Sequence, residues 1–567
     1  MKIKNPISIT LVLLFILSTN CQDSFLDVQP TTSLSANELS TKEGLEGALI
    51  GSYSMLMGRT SFINDSSNWI WGSIMGGDAN KGTVEADNAP LNEVQAYAVQ
   101  SNNGAVLDKY SYLYEGIARA NNTLRLLEVA EESVTEATLL KITAEARFLR
   151  GHFYFELKKA FNNTPYVDEN WDEISPVPNN QDLWQFIEAD FEFAYTNLPE
   201  THKEYGRANK WAAGTYLGKT YLYQQKYAAA KPLFDALIAN GNTTRGQAYN
   251  LVPYYADAFR APNDNNEESI FAAQAAVGTG SVVNANLGLV LNFPHGGSGR
   301  PGGCCGFFQP SFDLANSYRT QANGLPYLDN SFNEPDKAIL NDMGLSSTDS
   351  FQVDKGNLDP RLDHTIGRRG IPYLDWGLHP GKNWIRDQAY GGPYSPKKFS
   401  YYEEGIGTEN DASSWTPAFT SVNYNLIRFA DALLMAAEVE IELNNLDIAL
   451  DYINRVRNRA KNSPIPNAEA NYVIQPYPAF TSQAEARRAV RLERKLELGM
   501  EGHRFFDLVR WGIAGETLNP YLQHENQFIT PPFQGATFTA GKNEYLPIPQ
   551  TEIDLQGSEV LQQNSGY

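Results

Sequence analysis

WAAGTYLGKTYLYQQKYAAAKPLFDALIANG, residues 211–241, is the segment from which the expected fold follows. Its small and aromatic residues keep the spacing of a tetratricopeptide repeat, which is a pair of packed helices. The small residues let the two helices approach closely, and the rings fill the space between neighbouring pairs. The matching positions are Leu217, Gly218, Tyr221, Tyr227, Ala230 and Phe234. The segment therefore predicts one tetratricopeptide-like helix pair.

A second, weaker match to this spacing runs from Leu433 to Val456. Ala230 and Ala449 occupy corresponding places 219 residues apart (449 − 230), so the repeats are interrupted and not tandem. Such pairs need stacked neighbours to bury both of their faces, and we expect the helical segments 109–161 and 483–512 to supply them. The predicted fold is mainly α, with about four helix pairs in one right-handed, tetratricopeptide-like superhelix.

The segment between the two matches has a different composition. Residues 250–425 are rich in Gly, Pro and aromatic residues and contain few helical runs. We therefore predict one domain over 21–567, in which a helical scaffold (about 35–250 and 425–515) carries a loop-rich insert (about 250–425) and a C-terminal tail (516–567). Binding residues tend to lie on long loops held by a rigid scaffold, so we expect the ligand to bind at the insert.

RLERKLELGMEGHRFFDLVRWG, residues 491–512, has the composition of an active site, with His503 between Glu501 and Asp507. Its spacing argues against one. Apolar and small residues recur at steps of three and four, which is typical of one packed helix face. A second His at metal-ligand spacing is missing. We predict that the charges form an ion-pair network that locks the last helix pair.

The N-terminus has the pattern of a lipoprotein signal peptide over residues 1–20. Lys2 and Lys4 precede an apolar run at 7–17, and Cys21 follows shortly after it. The Cys21 thiol would carry diacylglycerol, and two or more acyl chains make an anchor stable. Asn20 departs from the small residue that usually precedes such a cysteine. The alternative is a secretory signal with an incidental cysteine.

The net charge limits the possible partners. The 567 residues carry a formal charge of −21, which repels nucleic-acid phosphates, so we expect no nucleic-acid partner. The same charge argues against docking of the protein surface to anionic lipid. After the signal segment, no apolar run is long enough to span a bilayer. Membrane attachment is thus expected through the N-terminal lipid anchor alone.

The sequence does not contain the motifs of several known enzyme classes in their required context. GSGRPG (297–302) matches G-x-G-x-x-G, but Pro301 and the residues after it do not open a helix that could bind a pyrophosphate. The sequence has no nucleophile elbow, P-loop or H-E-x-x-H motif. We expect no catalytic residue, no cofactor and no metal. Glycoside hydrolysis needs only two carboxylates at a set distance, which a sequence does not reveal, so a surface glycan hydrolase stays an alternative.

Cys304 and Cys305 are adjacent, without C-x-x-C spacing or nearby His, which argues against zinc. In an exported protein they could form a vicinal disulfide that stiffens GRPGGCCGFF (299–308). Two free thiols are the alternative.

Aromatic and planar polar residues cluster in three Gly-bracketed segments at 66–82, 292–310 and 367–398. A sugar has apolar C–H faces and hydroxyl edges, which suit an aromatic ring flanked by Asp or Arg. The alternative is that these rings form core beneath long loops. The predicted ligand-binding residues are Trp69, Trp71, Asp78, Arg300, Phe307, Tyr373, Asp375, Trp376, Trp384 and Arg386.

Five segments, in this order along the chain, carry a resemblance to known proteins. They are CQDSFLDVQPTT (21–32), AEARFLRGHFYFELKKAFNNTPYV (144–167), RFADALLMAAEVEIELNN (428–445), RLERKLELGMEGHRFFDLVRWG (491–512) and YLPIPQTEIDLQGSEVLQQNSGY (545–567). Together they resemble the SusD/RagB family of nutrient-binding surface lipoproteins. The resemblance implies a protein of the outer membrane, facing the cell exterior, that captures a glycan without cleaving it. It also implies delivery of the glycan to a SusC-like TonB-dependent transporter. A RagB-like peptide receptor is the alternative among binding proteins.

Overall fold

The computed structural model of the protein describes residues 36–58 and 61–567. The predicted signal peptide and Cys21 lie outside this range. The α-helices of twelve residues or more are α1 (Lys42–Tyr53), α2 (Gly104–Glu128), α3 (Glu136–Phe161), α4 (Trp184–Asn197), α5 (Lys210–Tyr223), α6 (Tyr227–Asn240), α7 (Phe429–Glu442), α8 (Leu446–Lys461), α9 (Gln483–Leu498) and α10 (Ala514–Glu525). Shorter α-helices span Ala36–Leu39, Pro90–Gln95, Phe312–Ser317, Arg361–Thr365, Gln388–Gly391, Arg504–Arg510, Thr530–Phe533 and Gln550–Gln556.

The strands are short and pair two by two. They are β1 (Ala79–Gly82), β2 (Ser269–Ala273), β3 (Phe307–Pro310), β4 (Asn357–Leu358), β5 (Ile366–Gly367), β6 (Ser395–Pro396), β7 (Asn410–Asp411), β8 (Phe419–Thr420), β9 (Tyr424–Arg428) and β10 (Asn471–Tyr472). The pairs β1–β3, β2–β9, β5–β6 and β7–β8 are antiparallel, and β4–β10 is parallel. The helices therefore form the main framework.

Eight of the long helices stack as four pairs, α1/α2, α3/α4, α5/α6 and α7/α8. Each pair contacts the next, through α2 on α3, α4 on α5 and α6 on α7. Helix α9 packs against both α7 and α8 and closes the stack. The prediction of a mainly helical, tetratricopeptide-like fold with about four helix pairs is confirmed. The segment predicted as helical at 109–161 contributes α2 and α3, which belong to two different pairs.

The predicted repeat at 211–241 forms α5 and α6. The side chain of Asn209 caps α5 by accepting a hydrogen bond from the Ala212 amide at 2.9 Å. A Cβ placed on Gly218 would lie 3.1 Å from the Phe234 ring, so glycine allows the close approach that the repeat spacing predicts. Phe234 is buried between the two helices. The sequence match thus corresponds to real packing.

Helix α6 ends at Asn240 and α7 begins at Phe429, yet the two pack together. The chain between them leaves and returns through the antiparallel pair β2–β9, and β9 runs directly into α7. Most of this intervening chain is turns, short strands and single helical turns. It has a small core of its own, formed by Ala285, Leu287, Leu289, Val290, Phe293, Tyr401, Ala418, Phe419 and Val422. The exact bounds of the insert stay a prediction.

The charged segment 491–512 forms α9, a tight turn and the short helix Arg504–Arg510. Glu497 of α9 is fully buried and accepts hydrogen bonds from Arg361 at 3.0 Å and Arg428 at 2.6 Å, and from Arg459. The prediction of an ion-pair network is confirmed. Because Arg361 lies in the insert and Arg459 in α8, the network ties the insert to the scaffold as well as locking the last helices.

A neighbouring carboxylate extends the same network. Glu501 accepts hydrogen bonds from Arg428 at 2.7 Å and from Lys398 at 2.7 Å. Both partners are buried, so the charges satisfy one another away from water. In the described ranges no helix combines the length and the apolarity needed to cross a bilayer.

Candidate functional site

Six of the ten predicted ligand-binding residues lie in the interior. They are Trp69, Trp71, Asp78, Phe307, Tyr373 and Trp384, and each is at most 4% exposed. A sugar can stack only on an exposed ring face, so the prediction that these six residues contact a ligand is wrong. Their loops fold back over the rings and turn them into core, which is the alternative that the composition left open.

Two of these buried tryptophans support residues that reach the surface. The Trp69 indole Nε1 donates a hydrogen bond to the Phe62 carbonyl at 3.1 Å. The Trp384 indole packs edge-on against Tyr373, with ring centroids 5.4 Å apart, and donates to the Ser298 carbonyl at 3.3 Å. They therefore hold Phe62 and the Gly-rich segment around Ser298 from beneath.

Asp78 also has a structural role, because its buried carboxylate binds groups within the fold. Its carboxylate accepts hydrogen bonds from the Ser73 hydroxyl and the Met500 amide, both at 3.2 Å. Burial raises the pKa of Asp78 to about 6. Nearby, a Cβ on Gly72 would overlap the Gly502 carbonyl, so glycine is required where the 69–82 segment meets the turn after α9. The Gly-rich composition of this segment thus reflects close packing.

Arg300, Asp375, Trp376 and Arg386 retain exposed surface. Arg386 pairs with Asp87 at 2.6 Å and donates to the Thr83 hydroxyl at 2.7 Å, so it ties the insert to the 83–87 segment. The Asp375 carboxylate accepts hydrogen bonds from the amides of Glu403 and Glu404 at 2.7 and 3.0 Å. Trp376 is the one aromatic residue of the predicted set that is not buried.

We use the term aromatic surface for Phe62, Trp376 and Trp415, three aromatic side chains that border the small core of the insert and keep exposed surface. Phe62 and Trp376 are partly buried against that core. Trp415 is 57% exposed and meets the Phe62 ring edge-on at 6.1 Å and the Phe419 ring at 6.0 Å. One small core therefore positions residues from distant parts of the chain, with Phe62 and Trp415 in contact and Trp376 packed on Tyr401.

Tyr401 and Gly302 link the two tryptophans of the aromatic surface. The Trp376 indole donates to the Tyr401 carbonyl at 2.9 Å and packs edge-on against its ring at 5.9 Å. The Tyr401 hydroxyl accepts a hydrogen bond from the Gly302 amide at 3.0 Å, and the Gly302 carbonyl accepts one from the Thr416 hydroxyl at 2.6 Å. Burial raises the pKa of Tyr401, so its hydroxyl stays protonated. These bonds fix the spacing of the rings.

The Gly-rich segment 296–306 contacts Tyr401, which binds Trp376, and Thr416, which follows Trp415. The structure joins Cys304 and Cys305 in a disulfide, with Cys305 buried and Cys304 partly exposed. Arg300 folds back on this segment and donates to the carbonyls of Gly296 and of Gly303, the latter at 3.2 Å. Partial burial lowers the pKa of Arg300. Its guanidinium thus shapes the loop beside Trp376 and Trp415.

Polar groups surround the aromatic surface. Asp375 caps two amides, and burial raises the pKa of Glu409. The exposed residues Ser413 and Ser414 precede Trp415. Throughout the described part of the chain, no group of three or more His, Cys, Asp or Glu residues is arranged to hold a metal ion. Chemically, the arrangement offers apolar ring faces with hydroxyl and backbone groups at their edges.

Phe62 and Trp415 are not among the ten residues that the sequence predicts to bind the ligand. Trp415 lies in DASSWTPAF (411–419), a short Ser- and Pro-containing loop between β7 and β8. This is the same signal, an aromatic residue within a turn-rich segment, that selected the other candidates. Applied to every loop of the insert, it would have included Trp415. Phe62 carries no such signal, because only the fold brings it beside Trp415.

The comparisons with known proteins agree on one family. Residues 267–567 match the model of the SusD family, and residues 24–222 match a model described as starch-binding associating with outer membrane. SusD-like protein P25 of Formosa agariphila is 27% identical over 594 residues, covering 100% of both chains. Starch-binding protein SusD of Bacteroides thetaiotaomicron is 24% identical over 465 residues, covering 77% of this chain and 74% of that protein.

Solved structures share the fold. Surface glycan-binding protein A from Bacteroides thetaiotaomicron, in complex with laminarihexaose, superposes with a TM-score of 0.64 at 21% identity. The superposition covers 92% of this chain and 99% of that chain. The SusD family model alone matches 301 of the 567 residues (567 − 267 + 1). The resemblance found in the sequence is therefore confirmed, and the protein belongs to the SusD/RagB family.

Proposed function

We propose that this protein is a cell-surface lipoprotein that binds an oligosaccharide or polysaccharide and passes it, uncleaved, to a SusC-like TonB-dependent transporter. The observation that carries the proposal is the aromatic surface, in which Phe62 and Trp376 pack against one small core and Trp415 contacts Phe419 of that core. Indole and phenyl faces match the apolar C–H faces of sugar rings. The names of two relatives, a starch-binding protein and a glycan-binding protein in complex with laminarihexaose, support the same ligand class.

The expected affinity follows from the area that a glycan would cover. One sugar ring that covers about 100 Å² of an aromatic face contributes roughly 2.5 kcal/mol at 25 cal/mol per Å². Three such platforms contribute about 7.5 kcal/mol before the cost of association is subtracted. The resulting dissociation constant lies in the micromolar to millimolar range. Binding of this strength suits capture and release of an oligomer.

The ligand class is tested with purified mature protein on native gels that contain starch, laminarin or another soluble polysaccharide. We expect retardation by at least one polysaccharide and no release of reducing ends over time. Calorimetry with oligosaccharides and with peptide pools distinguishes a glycan receptor from a RagB-like peptide receptor. Binding of peptides alone would refute the proposed ligand class, and a steady appearance of reducing ends would show hydrolysis.

Location and partner are proposed on the family resemblance and on the N-terminal pattern. We propose an acyl anchor at Cys21 in the outer membrane, with the protein facing the exterior. Cys21→Ser is expected to move the protein from the membrane fraction to the soluble fraction, and to reduce co-purification with the transporter from detergent extracts. Retention of the variant in membranes would contradict an acyl anchor. Protease digestion of intact cells reports which side of the membrane the protein faces.

A further inference from the structure

A cavity of about 660 Å³ lies between the helical scaffold and the C-terminal segment, and it shares no lining residue with the aromatic surface. Its walls come from the C-terminal end of α3, the N-terminal end of α4, the last residue of α5, the helix Arg504–Arg510, and the segments around Tyr545 and Gln562. Pockets that bind small molecules have volumes of about 300–1,000 Å³. The size of this cavity therefore fits a small ligand.

The cavity is lined by polar groups that have no hydrogen-bond partner within the described chain. The Trp184 indole N–H and the hydroxyls of Tyr223 and Tyr545 have no such partner. Burial raises the pKa values of both tyrosines, so their hydroxyls stay protonated. The amide side chains of Asn162, Asn180, Gln181 and Gln562 also have no such partner. Asn162, Trp184, Tyr223 and Tyr545 are partly buried, whereas Asn180, Gln181 and Gln562 are exposed. The partly buried donors and acceptors favour a ligand that supplies complementary hydroxyl or amide groups.

The charged groups in the cavity wall are already paired. Lys158 forms an ion pair with Asp182 at 2.9 Å, and Lys159 forms one with Glu156 at 2.6 Å. The Arg510 guanidinium pairs with Asp507 at 2.9 Å and also with Glu438. Since no unbalanced charge remains in these pairs, the cavity favours an uncharged ligand over an anion or a cation.

The wall formed by the C-terminal segment is held in place by one buried amide. The Asn179 side chain donates a hydrogen bond to the Gln562 carbonyl at 2.7 Å and accepts one from the Gln562 amide at 3.0 Å. It also donates to the Asn163 carbonyl at 3.1 Å. The backbone of the wall is therefore fixed, while the Gln562 side chain remains available to the cavity. Such preorganisation reduces the entropy cost of binding.

We propose that this cavity is a second, independent binding site for a neutral saccharide of one or two sugar units. Side-chain amides can donate and accept hydrogen bonds with neighbouring hydroxyl groups at the same time. The Trp184 ring, which packs edge-on against Phe155 at 5.8 Å and lies 5.8 Å from Lys158 Nζ, adds partly exposed apolar surface beside them. The existence of this site is independent of the aromatic surface and is not affected if that surface binds another ligand.

The proposal is tested with a protein whose aromatic surface has been disabled by Trp376→Ala and Trp415→Ala. Saturation-transfer NMR against maltose, cellobiose, laminaribiose and N,N′-diacetylchitobiose is expected to show binding of at least one disaccharide with a millimolar dissociation constant. Adding Asn180→Ala and Gln562→Ala, whose side chains are exposed and make no internal hydrogen bond, should weaken that binding at least tenfold. Trp184→Phe, which keeps a ring and removes the indole N–H, should weaken it less.

The matched control is Gln534→Ala, since Gln534 is exposed and lies outside the cavity. It should bind the disaccharide as the parent does, with all variants unfolding at the same temperature. The proposal is overturned if no disaccharide binds, or if the Asn180 and Gln562 variant binds as tightly as the control. Failure of the proposed function is a separate result, because it is measured with polysaccharide on protein whose aromatic surface is intact.

Discussion

Glu497→Gln is expected to destabilise the protein by about 3–5 kcal/mol, the cost of breaking a buried ion pair from one side. Glutamine keeps the size of the side chain and removes its charge. The Glu497 carboxylate accepts hydrogen bonds from Arg361, Arg428 and Arg459 in a fully buried position. The buried network contains five cations and five carboxylates, so Glu497→Gln leaves four carboxylates for five positive charges. The cations are Arg361, Arg428, Arg457, Arg459 and Lys398, and the carboxylates are Glu268, Asp359, Glu493, Glu497 and Glu501.

The change is measured by calorimetry and by urea denaturation. Unfolding entropy of about 2.1 cal/mol/K per residue gives roughly 1.2 kcal/mol/K for 567 residues, so a loss of about 4 kcal/mol lowers Tm by about 3 °C if the chain unfolds as one unit. Glu516→Gln is the matched control, because Glu516 is exposed at the start of α10. An equal Tm for the two variants would contradict the claim that the buried Glu497 carboxylate stabilises the fold.

The same residue sets a pH dependence. The three arginines hold the pKa of Glu497 far below its usual value. A carboxyl group whose pKa is lower in the folded state stabilises the fold above its unfolded pKa of about 4.5, and this contribution is lost as the pH falls through the folded pKa. Wild-type stability should therefore fall as the pH drops below about 4.5. Glu497→Gln should show a shallower fall over the same range, measured as Tm against pH.

Trp415→Ala is expected to weaken glycan binding by about 10- to 70-fold. If a sugar covers about 100 Å² of the indole, its loss costs roughly 2.5 kcal/mol, which is about 70-fold in Kd. The lower figure applies where the sugar covers half of that area or keeps part of its contact with Phe62. Because Trp415 is 57% exposed, its removal should leave the unfolding temperature nearly unchanged. Affinity gels and calorimetry with the polysaccharide found in the screen measure the effect.

Phe528→Ala is the control, since Phe528 is 41% exposed and packs on Phe312 away from the aromatic surface. It should bind the glycan as the wild type does. Trp376→Ala should weaken binding in the same direction as Trp415→Ala, and the double variant should approach complete loss. If neither tryptophan variant binds a confirmed glycan more weakly than the control, the aromatic surface is not the binding site.

The buried tryptophans lead to a different expectation from the one that sequence alone suggested. Trp71 is 1% exposed, so a change to alanine acts on the core and not on ligand contact. Weakened binding by such a variant would report loss of structure. Local composition does not separate an exposed ring from a buried one, because Gly-rich loops can either present aromatic side chains or fold over them.

The sequence by itself determined the helical scaffold, the family and the structural character of the charged segment. These features depend on residues close together in the chain: the spacing of Leu217, Gly218 and Phe234 predicts a packed helix pair, and the spacing in 491–512 predicts a packed helix face. Only the tertiary structure decided which aromatic residues reach the surface. Phe62, Trp376 and Trp415 are more than 300 residues apart at the extremes (415 − 62 = 353), and each packs on the same small core of the insert. Contacts of such long range depend on how loops close over one another, and no local pattern encodes that.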